Sequence, residues 1–275
     1  MNIGVSMWSY YRPWKQGLLT IPEFIREAKR AGADGVELLD FFYKDVEADQ
    51  YEAQEALDET GLPVPIFSVA NNFAKLTAEE RAAQVARIKF GVDEANRYGA
   101  KVVRVFAGDV AEGITFDQAR SWIVDGLTEA SLYASSKGIK LALENHGSLA
   151  GRADQVLALI KDVRARSGVD ALGANPDTGN FMLVNQPSHE AVREVAHFAN
   201  MVHFKDFSEG EGPFFALNGQ RFVGAAVGEG LVDLEQCIME LKIAGFDGWL
   251  SVEYEGDEDP FTAVPRSIEN AKKFI

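Results

Sequence analysis

KLALENHG, Lys140 to Gly147, sets a short apolar run directly against an acid, an amide and an imidazole. Leu141, Ala142 and Leu143 follow one another without the alternation of a half-buried strand, which suits a strand covered on both faces. The same shape recurs in both directions from this point. Toward the C-terminus stand ALGANP (171–176), MVHFKD (201–206) and WLSVEY (249–254); toward the N-terminus stand VVRVFA (102–107), VPIFSV (64–69), GVELL (35–39) and IGVSMW (3–8). Between the runs lie stretches such as IPEFIREAKRAGA and TAEERAAQVARIKFGVDEANRYGA, whose apolar residues recur every three or four positions, as on an amphipathic helix. Thr20 before Glu23 and Thr77 before Glu80 read as helix starts, and Gly32, Gly61, Gly99, Gly138 and Gly245 as helix stops.

A strand followed by a helix, repeated at a spacing of roughly 30 residues, is the arithmetic of a closed barrel. The expected fold is therefore α/β, a single-domain (β/α)8 TIM barrel over residues 1–275. An open doubly wound sheet would normally carry a glycine-rich phosphate turn after its first strand, and here that turn reads WSYYRPWKQG. One connection is long: residues 207–232, containing SEGEGPFFALNGQRFVGAAVGEG, show no helical period and are expected to form a lid-like loop, with Phe214 and Phe215 closing over substrate.

The composition narrows the function classes. A net charge of −15 opposes a nucleic-acid partner, whose affinity comes largely from Lys and Arg on phosphates. No apolar run approaches the roughly 20 residues of a membrane span. The single Cys237 cannot close an internal disulfide, and the opening MNIGVSMWSYYRPWK has no leader pattern, so a cytoplasmic setting is expected.

In such a barrel the site is built where strands end, so polar residues there carry the most information. Glu144, Asp177, His203 and Glu253 end or follow four of the strands. Three carboxylates and an imidazole gathered on one rim repel one another unless a cation sits among them. One nitrogen and three oxygen donors suit Mn2+, Mg2+ or Co2+, and less exclusively Zn2+. Taken singly, each has a plainer explanation, such as a buried glutamate paired with Arg104. His146 and Lys205 stand two residues beyond Glu144 and His203, on the same strand face, within reach of substrate as a base or of a ligand as its orienting partner. Trp8, Glu37, Ser68, Asn71 and Asn72 end or follow earlier strands and are expected to line the pocket, Trp8 by stacking on a sugar ring. Tyr10, Tyr11 and Trp14 extend that wall or serve a subunit contact.

ALENHG, NPDTGN, VHFKD, VGEG followed by Asp233, and SVEYEG together resemble the xylose isomerase-like TIM barrel superfamily of sugar phosphate isomerases and epimerases, in order and spacing along nearly the whole chain. The resemblance implies one divalent metal, Mn2+ first, held by Glu144, Asp177, His203 and Glu253, with Glu144 and Glu253 also exchanging the substrate proton. It implies a ketose, aldose or hydroxy-ketone isomerase or epimerase working through a metal-stabilised enediolate. It also implies a small sugar or polyol substrate, and a homo-oligomer, dimer or tetramer, of the kind common among relatives. The chain departs from the epimerase pattern at two substrate-contacting positions, where Asn180 replaces a histidine and Glu209 an arginine. Glu144-x-His146 is similar instead to dehydroshikimate dehydratase, so the alternative is a lyase on a cyclic polyol ketone or 3-keto-sugar, with His146 or Lys205 as base. An abasic-site nuclease of the same barrel class is opposed by the four histidines and the acidic charge. A non-catalytic sugar-binding barrel is the remaining alternative.

Overall fold

The computed structural model describes residues 1–110 and 113–275. Eight parallel strands form a nearly closed barrel wrapped by helices. In chain order they are β1 (Asn2–Ser6), β2 (Gly35–Leu39), β3 (Ile66–Ser68), β4 (Val102–Val105), β5 (Lys140–Glu144), β6 (Leu172–Asn175), β7 (Val202–Phe204) and, after the hairpin strands β8 (Asp206–Phe215) and β9 (Arg221–Ala225), β10 (Trp249–Val252). Their order around the sheet is β6-β5-β4-β3-β2-β1-β10-β7. Helices such as Ile21–Arg30, Ala78–Tyr98, Phe116–Ser136 and Ala153–Ser167 cover the outside, and their buried faces join the strands in one continuous apolar core. Capping boxes start the helices after Thr20 and Thr77, each with a glutamate three residues on.

The ring closes between β6 and β7, where the ladder is irregular. Pro176 follows β6 and has no N–H to donate, so regular pairing stops there. The Asn175 amide oxygen instead accepts from His203 N at 2.8 Å, and Thr178 N donates to His203 O at 3.1 Å. Asp177 and His203 are thereby paired across the seam. Closure of the barrel and placement of two candidate ligands are the same event. Pro65 acts similarly on β3, which begins at Ile66 rather than at the expected Val64.

The stretch 207–232 departs from expectation. It is built around the antiparallel hairpin of β8 and β9 rather than an irregular loop. A register shift between Glu209 and Phe214 breaks the alternation that would have revealed it. At Gly212 a Cβ would lie 2.0 Å from the Phe222 carbonyl oxygen, so only glycine permits this approach. The Asp206 carboxylate ties down the hairpin base by accepting from the backbone N–H groups of Phe207, Gly228, Gly230 and Val232. Among the described residues, no helix is long and apolar enough to cross a membrane.

Candidate active site

Glu144 ends β5, Asp177 stands two residues beyond β6, His203 lies within β7 and Glu253 follows β10. One donor atom from each falls within 4.8 Å of all the others. All four side chains are buried. His203 Nδ1 lies 3.1 Å from Glu144 Oε2, 3.8 Å from Glu253 Oε1 and 3.9 Å from Asp177 Oδ2.

The neighbours fix which atoms face inward. Glu37 engages His203 Nε2 through both carboxylate oxygens, each at 3.1 Å, and is itself held by the hydroxyls of Ser68 and Ser251. A proton kept on Nε2 by Glu37 leaves the Nδ1 lone pair directed at the carboxylates, as a metal ligand requires. Asp177 Oδ1 accepts from Gly179 N and Asn180 N at 2.9 Å each, which turns Oδ2 into the cluster. Asp177 Oδ2 and His203 Nδ1 are buried and lack any hydrogen-bond partner. Two orphaned acceptors facing one point are costly as they stand and fit a cation between them.

Electrostatics agree. Five carboxylates, Glu37, Glu144, Asp177, Glu253 and Glu255, surround the point against the two fixed cations Arg104 and Lys205. Burial raises the carboxyls of Asp177 and Glu253 above their ordinary range. Burial also opposes ionisation of Glu144, but His203 and Arg104 outweigh it and hold that carboxyl low. For His203, burial favours the neutral ring, yet Glu37, Glu253 and Glu144 together push its pKa well up. That is the behaviour of a site that takes up a proton when no cation is there. A divalent ion held by Glu144, Asp177, His203 and Glu253 would replace that proton.

A cavity of about 410 Å3 opens above the cluster. Of the expected substrate contacts, Trp8 and Asn180 line it, as do Glu144, His146, Lys205 and Glu253. Four others do not, which corrects the expectation. Glu37 and Ser68 lie beneath His203, fully committed to holding its ring. The Asn71 side chain exchanges hydrogen bonds with Phe106 N and O, and Asn72 Oδ1 accepts from Ala74 N and Asp109 N, so the whole Asn71 amide and the Asn72 oxygen are engaged by backbone. Asn180 donates to Glu144 Oε1 at 3.3 Å and to Asn145 O. Glu209, the other departure from the epimerase pattern, sits on the hairpin, bonded by Gln220. Phe214 lines the cavity, whereas Phe215 is exposed under Arg221. Tyr11 stacks on Trp8, Trp14 packs on Phe42, and Tyr10 is buried.

Lys205 Nζ lies 3.1 Å from Glu253 Oε2 and 3.7 Å from Asp177 Oδ2, and it pairs closely with Glu255. Burial works against its charge, but these acids raise its pKa well above that of a free lysine. In this arrangement its ammonium donates to the surrounding carboxylates. His146 Nδ1 lies 3.3 Å from Asp109 Oδ1 at the rim; burial lowers its pKa, and the Asp109 hydrogen bond with the Glu144 charge outweighs it upward. Glu255 and Asp109 escaped the reading of the sequence. Glu255 was accessible to it, because Glu253-x-Glu255 repeats the spacing of Glu144-x-His146 and His203-x-Lys205.

Glu37 offers a test of this layering. Glu37→Gln is expected to weaken divalent-metal affinity by about 10- to 100-fold, because the ring loses the acceptor that fixes its tautomer. Competition against a chromogenic chelator measures it, and an unchanged affinity contradicts the arrangement.

A parallel barrel whose strand ends gather three carboxylates and one imidazole beneath a cavity defines a TIM barrel class with a buried cluster that could hold a metal ion. The chain belongs to the xylose isomerase-like TIM barrel family, whose family model matches residues 25–274. It is similar to an inosose dehydratase of Clostridium beijerinckii, 23% identical, with 93% of this chain and 89% of the relative covered. It is also similar to the L-ribulose-5-phosphate 3-epimerase UlaE of Escherichia coli strain K12, 26% identical, covering 79% and 74%. Among solved structures, a xylose isomerase-like TIM barrel protein from Mycobacterium smegmatis in complex with magnesium superposes with a TM-score of 0.75 at 21% identity, covering 99% and 95%.

Proposed function

We propose that the protein is a divalent-metal-dependent isomerase or epimerase acting on a sugar or related hydroxy-ketone. The observation that carries this reading is that Glu144 and Glu253 belong both to the metal cradle and to the cavity wall. When bound, the ion, Mn2+ by preference, would polarise a carbonyl and the neighbouring hydroxyl and so acidify the C–H between them. The side chains do the rest. Glu144 is braced by Arg104, Asn175 and Asn180 on one side of the ring. Glu253 projects from β10, separated from β5 around the barrel by β7 and β6. A substrate carbon seated between them meets a carboxylate from two directions. One glutamate takes the proton and the other returns it on the opposite face, which inverts the centre; return to the adjacent carbon moves the carbonyl. Lys205 holds Glu253 in place and keeps its charge throughout.

A second reading, dehydration of a polyol ketone, is favoured by the His146–Asp109 pair at the rim and by the likeness to inosose dehydratase. In it His146 takes the α-proton and passes it to the departing β-hydroxyl, so that H and OH leave together as water. Under either reading the partner is a small sugar or polyol in the cytoplasm, with neither nucleic acid nor membrane involved, and the chain assembles as a homo-oligomer.

The deciding experiment incubates the Mn2+-, Mg2+- or Co2+-loaded protein with a panel of ketoses and keto-inositols in D2O. Deuterium entering recovered sugar without loss of water, abolished by chelation, is the expected result. Unsaturated, ultraviolet-absorbing product without exchange overturns the isomerase reading in favour of the lyase.

A further inference from the structure

The cavity above the metal cradle has two unlike halves. Its floor is charged, but its upper wall is made by Trp8, Phe41, Phe106, Leu183 and Phe214. Trp8 is held in place, stacked on Tyr11 with ring centroids 4.7 Å apart and with its indole N–H on Glu255. Phe41 meets the edge of Trp8 at 5.4 Å and is 38% exposed. Across from them Phe106 lies between the Arg104 guanidinium, 4.0 Å from its centroid, and the His146 ring at 4.5 Å. The C–H face of one sugar ring can cover Trp8, but the four rings and Leu183 together offer more apolar area than that face uses, and a flat apolar group would bury its own faces against the remainder. At about 410 Å3 the cavity falls within the roughly 300–1,000 Å3 of pockets that enclose drug-sized ligands.

The same cavity is poorly suited to a phosphate. Among the described residues, every cation that lines it is already engaged. Lys205 is shared by Glu253, Glu255 and Asp177. Arg104 pairs with Glu144 and donates to Val69 O. His146 pairs with Asp109. In the smaller cavity adjoining Trp8 and Glu255, the Arg12 guanidinium is spent on the carbonyls of Asp257 and Glu258. A dianion here would face the Glu144, Glu253 and Glu255 charges together, and phosphate recognition relies on uncommitted Arg or Lys.

We propose that the substrate is an uncharged hydroxy-ketone bearing a flat apolar substituent, of the aryl glycoside type, with Trp8, Phe41, Phe106 and Phe214 as the subsite for that substituent, and that sugar phosphates are excluded. This rests on Glu144 and Glu253 as the proton-transferring pair beneath, and it adds what sits above them.

The test is a binding measurement, so it does not depend on turnover. Titration calorimetry of the Mn2+-loaded protein compares methyl β-D-glucoside, phenyl β-D-glucoside and glucose 6-phosphate. Phenyl β-D-glucoside is expected to bind about tenfold tighter than the methyl compound, and the phosphate no tighter than the methyl compound. In Phe41→Ala, at a partly exposed position, and in Phe106→Ala, the phenyl advantage over the methyl compound measured on the same variant is expected to shrink to about twofold. Equal binding of phenyl and methyl compounds, preferential binding of the phosphate, or a phenyl preference untouched by both substitutions each overturns the proposal. Solvent-deuterium exchange on the same preparation keeps the two claims apart. Exchange without a phenyl preference sinks the subsite and spares the proton-transfer reading; a phenyl preference without exchange into any ketose does the opposite.

Discussion

Replacing Glu253 by glutamine is expected to lower kcat by about 10²- to 10⁴-fold, the range for losing a positioned acid or base. The substitution is nearly isosteric. It keeps one carbonyl oxygen, for the cation or for the Lys205 ammonium now 3.1 Å from Glu253 Oε2, places an NH2 at the other position, and can no longer take a proton from carbon. Glu144→Gln is expected to fall at least as far, since its carboxylate also carries the ion pair with Arg104 at 3.3 Å and two amide hydrogen bonds. Because both side chains belong to the metal cradle, bound metal must be quantified on the sample used for kinetics. Loss of turnover with metal retained assigns the effect to proton transfer; turnover within about threefold of wild type at full occupancy removes Glu253 from the chemistry.

The barrel was legible because its signals are local. Each strand run is a few residues long, and the helices between carry capping boxes at Thr20 and Thr77 that the structure contains. The four candidate ligands were legible for a related reason: a strand end fixes the rim on which a side chain sits, and four acceptors on one rim already pose an electrostatic problem. What the sequence hid depends on who meets whom across the ring. Nothing local distinguishes Glu37, which supports His203 from beneath, from a glutamate that lines a pocket; the difference is that β1, β2 and β10 are neighbours, so Ser251 and His203 reach it from the far end of the chain. Asn71 and Asn72 look like sugar-binding amides until backbone groups just beyond β4, at Phe106 and Asp109, engage them. The hairpin of β8 and β9 was hidden by its own irregularity, since the shift between Glu209 and Phe214 and the glycines that allow it erase the period-two pattern.

Lys205→Met is expected to destabilise the metal-free protein by about 3–5 kcal/mol, as when one partner of a buried ion pair is removed. Lys205 is only 5% exposed and is the cation that Glu253, Glu255 and Asp177 share. Methionine fills most of the space but leaves three carboxylates facing one another out of water. Urea unfolding at neutral pH in the presence of a chelator measures the loss. Two further results distinguish this cause from poor packing. Burial already raises Asp177 and Glu253 above their ordinary range, and removing the ammonium raises them more, so the folded variant binds protons that the unfolded chain does not. Its deficit relative to wild type should therefore narrow as pH falls from neutrality toward the ordinary carboxylate range, because there the folded acids are neutral while the unfolded ones are still partly ionised. Mn2+ should also stabilise the variant more than the wild type, because the cradle has lost a competing positive charge and binding to the folded state alone shifts stability by mass action. A deficit that is constant with pH and indifferent to Mn2+ would mean that Lys205 contributes shape and not charge, and the electrostatic account of the cradle would fall with it.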